Sequence, residues 1–311
     1  MAVSYSEVRY KSFGRCLKIE NAFAEVYVTL DFGPRVIRYA LRGDTNFFFE
    51  DRTRSVSRGD KAMTDYYGRG AVWYIYGGHR IWVSPEAMPE SYYPDNTRVR
   101  YEIGRSGVVF TPAPQRRNEL AMALEVGLEE YGAQVTVKNR ITNIGDAPKT
   151  LAVWALTVLG QGGLEIVPQN TNDTHFLGNR VMALWTYSDM ADKRVVWGKD
   201  LITLRQDKRI AEPFKVGTSN RRGWAAYAHH GCLFVKRFPY IEDAVYPDGG
   251  MNFETYTNGT FLEMESLSPL RTLQPQETSE HVETWDIIDD VKAPRAGDLA
   301  AAAQLAARLI E

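Results

Sequence analysis

The chain has 311 residues, with 37 Lys and Arg against 39 Asp and Glu, and a formal net charge of -2. That near balance argues against a nucleic-acid surface or a polybasic membrane anchor. No apolar run is long enough to span a bilayer, and Glu7, Arg9, Lys11 and Arg15 leave no apolar leader core at the start.

Strand signals dominate up to about residue 288. Period-two alternation or β-branched enrichment marks 24–30, 35–39 and 135–141. Turn signals separate such segments at 31–34, 42–44, 143–146, 247–250 and Asn258-Gly259. The Asn258-Gly259 pair, between 254–257 and 260–265, predicts a tight hairpin. Only the tail predicts a helix, at about 298–311, with Asp298 as its cap before a Leu- and Ala-rich run. With no repeat and no low-complexity linker, the expectation is one all-β domain over 1–311, a sandwich or barrel closed by a short C-terminal helix. Cys16 and Cys232, the only cysteines, fit a reduced cytoplasm better than a disulfide framework.

The densest cluster of functional groups is 76–86. Gly77 and Gly78 let the backbone turn, and His79, Arg80, Trp82 and Glu86 follow. An imidazole, a guanidinium and a carboxylate are groups that acid–base chemistry on a sugar uses, and an indole offers a flat apolar face. A lone histidine is more often a hydrogen-bonded structural residue, but this company favours a functional reading of His79.

A second constellation lies at Asp248, Asn252, Glu254 and Tyr256, followed by Glu263 and Glu265. Strand positions i and i+2 share a face, so Glu263 and Glu265 point together, as do Glu254 and Tyr256. Carboxylates brought close raise at least one pKa by mutual repulsion. A merely solvated acidic face is an even rival for Glu263 and Glu265 alone. Lys236, in the apolar segment 233–238, is expected to pair with a carboxylate, for function or for structure. The other histidines, His175, His229, His230 and His281, show no ligand spacing. Adjacent strand residues face opposite ways, so His229 and His230 are not expected to hold one ion. No metal or cofactor is implied, and no nucleophile elbow, P-loop or dinucleotide fingerprint occurs.

The order and spacing of 31–37 with Asn46, 77–82 through Pro85-Glu86, 151–157, 261–265, 273–277 and 283–285 resemble the galactose-mutarotase-like (aldose 1-epimerase-like) superfamily, in its bacterial branch. The resemblance implies a β-supersandwich with a sugar cleft on a concave face. It also implies a C-terminal-strand glutamate as base, matched by Glu263 or Glu265, and a histidine as acid, for which His79 is the nearest match. Arg69 or Arg80 would hold sugar hydroxyls. The family's histidine before its Gly-Gly is absent here, as is a second one in the middle strand, where Trp154 to Thr157 stand instead.

The functional expectation is a cytoplasmic, carbohydrate-active protein doing acid–base chemistry at an anomeric carbon. Its catalytic candidates are His79, Glu263 and Glu265. Arg69, Arg80, Trp82, Glu86, Tyr93, Lys236, Asn252, Glu254 and Tyr256 are the substrate-binding candidates, and Trp185 is a further stacking surface. The rival expectations are a glycoside hydrolase using paired carboxylates and a non-catalytic sugar-binding domain. The partner is a mono- or oligosaccharide, without nucleic acid or membrane, and the protein is a monomer or homodimer.

Overall fold

A computed structural model describes residues 2–310. Alternating strands build two large antiparallel sheets, one of 11 strands and one of 10. The first runs, in spatial order, through Ser4–Arg9, Arg15–Glu20, Ala24–Thr29, Val36–Leu41, Gly78–Ser84, Lys149–Leu159, Leu262–Leu267, Phe253–Thr257, Phe214–Thr218 and Met182–Leu184. The second centres on Cys232–Arg237, Thr278–Ile288 and Val135–Asn143. Leu17, Val26 and Tyr39 of the first sheet pack with Val108, Phe110, Leu124 and Trp285 of the second in one buried core. Two sheets packed face to face over such a core form a β-sandwich.

In the middle of the first sheet the strands are apolar on both faces. Lys149–Leu159 is buried from Leu151 onward. A second apolar cluster therefore lies on the outer face, where Trp73, Trp82, Trp154, Leu156 and Phe261 gather under the helix Lys61–Tyr67. The candidate site lies on that face, bordered by 56–60, Tyr92, Tyr187 and Phe261.

Gly77 and Gly78, at the start of the strand Gly78–Ser84, are dictated by backbone approach. At Gly77 (φ +101°) an added Cβ would stand 2.0 Å from the carbonyl oxygen of Phe49, and at Gly78 (φ +63°) 2.1 Å from that of Val36. Any side chain would collide with backbone.

The C-terminal helix spans Leu299–Leu309, with the Asp298 carboxylate accepting from the Ala301 N–H at 2.9 Å. Residue 311 of the expected span lies outside the described residues. Ala302, Leu305 and Ala306 cover Ile166, Trp224, Ala226, Leu233 and Val235 on the outer face of the second sheet. The expected two-residue hairpin is longer than the sequence suggests. Thr257 pairs with Leu262, leaving 258–261 as the loop. The Asn258 side chain accepts from the N–H groups of Thr260 and Phe261 at 2.7 and 3.1 Å. This Asx turn uses asparagine's side chain in place of the left-handed backbone that a two-residue loop needs. Among the described residues no helix is long and apolar enough to cross a membrane.

Candidate functional site

Strand register sets the site. Arg80, Leu156, Glu265, Glu254 and Gly217 stand opposite one another on five successive strands. One row along come Gly78, Val158, Glu263, Tyr256 and Lys215. On the other side come Trp82, Trp154 and Leu267. Opposed residues point to the same side of a sheet, so these rows tile the outer face. Above them opens a cleft of about 530 Å³, within the roughly 300–1,000 Å³ usual for small-molecule sites. Trp73, Trp82, Tyr92 and Trp154 wall one part of it, and Tyr187, Tyr256 and Phe261 another. Arg58, Arg80, Glu86, Lys215, Glu263 and Glu265 add charge.

Each charged group in the floor is fixed. The Arg80 guanidinium lies over the Trp82 and Trp73 rings, at 4.5 and 5.6 Å from their centroids, and donates from Nη1 to Glu263 Oε1 at 3.1 Å. Its Nε has no hydrogen-bond partner among the described residues, although Arg80 is buried. Lys215 Nζ sits between two carboxylates, 2.6 Å from Glu254 Oε2 and 3.0 Å from Glu265 Oε2. It also lies over Trp154 and Trp185, at 4.7 and 4.4 Å. The Trp154 indole N–H donates to Glu265 Oε2 at 3.0 Å. Burial pushes the Glu254 carboxyl well above the ordinary carboxylate range and raises that of Glu265 too, against the lowering pull of Lys215. Lys215 is raised: its two carboxylate neighbours overcome its desolvation.

The cleft brings together Arg80, Trp82, Glu86, Tyr256, Glu263 and Glu265 from the sequence-based candidates. Trp185 joins them through Lys215. The other candidates lie elsewhere. His79, one residue from Arg80, points to the opposite side of the strand and is fully buried between the sheets. There its ring nitrogens pair with Thr157 Oγ1 at 2.9 Å and Asn139 Oδ1 at 2.8 Å. Desolvation, reinforced by the Lys236 charge, holds it neutral. The expectation that His79 lines the cleft is corrected by its strand parity. Lys236 is also between the sheets, 2.8 Å from Glu283 and donating to the carbonyls of Ala155 and Met264 at 2.9 and 3.0 Å. It thus pairs with a carboxylate, as its setting in an apolar strand suggested, but outside the cleft.

Asn252 is buried against the backbone of Asn220, accepting its N–H at 2.6 Å and donating to its carbonyl at 2.9 Å. Glu254 is fully buried, reaching the cleft only through Lys215. Tyr93 packs on Tyr67 and lines a separate small cavity beside Asp95 and Gln115. Arg69 is exposed on the loop after Lys61–Tyr67 and is not part of the cleft lining. His229 and His230 also depart from expectation: His230 leaves strand geometry (φ +51°) and the two rings lie 3.5 Å apart. No group of three or more metal-ligating side chains occurs among the described residues.

The sequence reading missed Lys215, Tyr92, Tyr187, Trp73 and Arg58. Lys215 carried a usable signal, a lysine flanked by Phe214 and Val216 in a β-branched strand. The others sit on loops or short strands, where periodicity carries no facing information.

No family model matches the chain, and no curated protein matches it in sequence. Solved structures do. A galactose mutarotase-like protein from Lactobacillus casei superposes with a TM-score of 0.53 at 11% identity, covering 88% of this chain and 99% of that one. A galactose mutarotase-like protein from Clostridium acetobutylicum gives 0.52 at 12%, covering 93% and 99%. The chain has the galactose-mutarotase-like fold. It also matches a TPR-domain containing protein from Parabacteroides distasonis (TM-score 0.59, 14% identity), with 90% of its own length but only 49% of that chain. The galactose-mutarotase-like scaffold is thus shared at identities of 11–12%, which carry the fold and leave the chemistry to the side chains above.

Proposed function

We propose that the cleft binds a sugar and carries out acid–base chemistry at its anomeric carbon, in the manner of an aldose 1-epimerase. The observation that carries this reading is the placement of Glu263 and Glu265. They are adjacent on one face of a central strand, each fixed by a cation, at the floor of an aromatic-walled cleft. Aromatic faces stack on the apolar side of a pyranose, while Arg80 and Lys215 donate to hydroxyls. Glu265, with the Trp154 N–H and Lys215 orienting it, is the stronger choice for the base. The unpaired thiols Cys16 and Cys232 accord with a reduced compartment, the cytoplasm.

A second reading has its own support. None of the histidines lies in the cleft lining, so the site offers carboxyl groups alone as conventional acids near neutral pH. Glycoside hydrolysis needs only such a pair, and Glu86, Glu263 and Glu265 all reach the cleft. A binding domain would use the same aromatic walls without turnover.

The test is anomer exchange by NMR on a panel of aldoses and glycosides, with wild type, Glu265→Gln and Glu263→Gln. Exchange that falls roughly 10²–10⁴-fold in Glu265→Gln supports the epimerase reading. Release of reducing ends from glycosides supports the hydrolase, and saturable binding with neither supports the binding domain. Equal turnover in wild type and both variants would remove the carboxylates from the mechanism.

A further inference from the structure

The floor of the cleft has a charge imbalance that its geometry cannot hide. Three carboxylates (Glu254, Glu263 and Glu265) face two cations (Arg80 and Lys215) on adjoining strands. Arg80 is committed to Glu263. Glu254 and Glu265 are directly opposed across neighbouring strands, and both turn to the one ammonium of Lys215. Glu254 is 0% exposed, Glu265 1%, and Glu254 Oε1 has no hydrogen-bond partner among the described residues. An uncompensated charge buried this deeply is neutralised by taking up a proton.

We propose that Glu254, Lys215 and Glu265 form one proton-holding unit, in which the two carboxyls share a single proton across the fixed ammonium. The proposal rests on the sugar-chemistry reading for its purpose, but not for its existence. Glu254, out of contact with the cleft, is a positioning residue: it stores the proton and holds Lys215 against Glu265. Glu265 is the member that meets a ligand. With one shared proton the unit is neutral. When Glu265 takes a proton from a sugar hydroxyl, the O–H bond of the sugar breaks and one forms on the carboxyl. The unit becomes cationic by one charge beside the new alkoxide, stabilising it electrostatically. Returning the proton restores neutrality, so the unit supplies both acid and base without an imidazole.

Other groups face it. Glu263, Arg80, Tyr187 and Tyr256 lie around Glu265, Asp248 lies toward Glu254, and Glu165 and Lys236 stand behind the sheet. Glu165, fully buried and bonded by Thr255 Oγ1 at 2.7 Å, is a second carboxyl that burial keeps protonated.

Infrared spectroscopy of the carboxyl C=O stretch tests the unit directly, with no sugar present. At neutral pH the wild type should show two protonated-carboxyl bands. Glu165→Gln should remove one and leave the other, which Glu254→Gln should abolish. Lys215→Met should bring a second proton onto the pair and roughly double its band. A folded Glu165→Gln protein with no protonated-carboxyl band at neutral pH would overturn the proposal, even if Glu254→Gln fails to fold. So would a band untouched by Glu254→Gln. Absence of anomer exchange with the bands intact would instead overturn the epimerase reading and leave the unit standing.

Discussion

At the scale of single residues, Lys215 is the group on which most of the candidate site depends. Among the described residues its ammonium is the only cation within hydrogen-bonding distance of Glu265, and it separates Glu265 from a second carboxyl directly across the ladder. Removing one partner of a buried ion pair costs about 3–5 kcal/mol, because the survivor is left uncompensated. Lys215→Met should therefore destabilise the protein by about 3 kcal/mol in urea unfolding at neutral pH. Combining it with Glu254→Gln should cost less than the two single losses together, since the ammonium that joins the two carboxyls is lost only once. A double-mutant cycle reads the coupling, and additive losses would show that the two residues do not communicate. The sequence displayed Lys215 only as a charge inside an apolar strand. Its two partners lie 39 and 50 positions further on, which pattern alone cannot join.

At the scale of elements, strand parity decides what belongs to the cleft. Glu263 and Glu265 were legible as one face of their strand, whereas 76–86 read only as a turn followed by clustered functional groups, so the shared face of Arg80 and Trp82 came with Gly78–Ser84 itself. The same period of two excludes His79 from the face that holds Arg80. Family likeness favoured the imidazole, and local geometry put it in the core. Lys236 went the same way: its strand is buried on both faces, so facing could not be read from an apolar run. The Gly77-Gly78 turn was legible as a turn, but not the reason for it, which is contact with backbone distant in sequence. Gly78→Ala adds a Cβ against the carbonyl of Val36 in a left-handed conformation. The conformation alone costs about 1–2 kcal/mol, and the collision adds to it. The expected outcome is a loss in thermal unfolding well beyond that of Gly132→Ala, where the glycine is also left-handed (φ +82°) but an added Cβ meets no atom within 4 Å. Equal losses at the two positions would refute the close-approach account.

At the scale of the whole molecule, the polar groups sealed between and beneath the sheets set the dependence of stability on pH, and they pull in opposite directions. His79 and His281 are buried and neutral, His281 pushed down to about 3 by desolvation and then by the Lys236 charge. On unfolding they regain ordinary histidine behaviour near 6.5. Below that value the unfolded chain binds two more protons from them, and stability falls as pH falls. Glu165 and the Glu254–Glu265 pair act in reverse. Their protons are held in the folded state and released on unfolding above the ordinary carboxylate value near 4.5. That contribution is complete below 4.5 and is lost as pH rises through the raised folded values. Between about 4.5 and 6.5 the two effects offset each other, each proton being worth about 1.4 kcal/mol per pH unit. His229, held at about 4 chiefly by desolvation, and His230, lowered by its burial, add to the histidine side, so stability should still rise with pH across that window. It should decline above it as the carboxyl effect acts alone, and decline below it as the histidines meet acid-titrating pairs such as Glu125, whose ion pairs hold it at about 2. Glu165→Gln removes one folded-state proton, so across the window stability should climb with pH more steeply than in wild type, by about 1.4 kcal/mol per unit, while the decline above 6.5 halves. Urea midpoints for wild type and Glu165→Gln across this range are the measurement. Parallel profiles for the two proteins would mean that Glu165 is ionised in its fully buried site, and that burial there does not force a carboxyl to keep its proton.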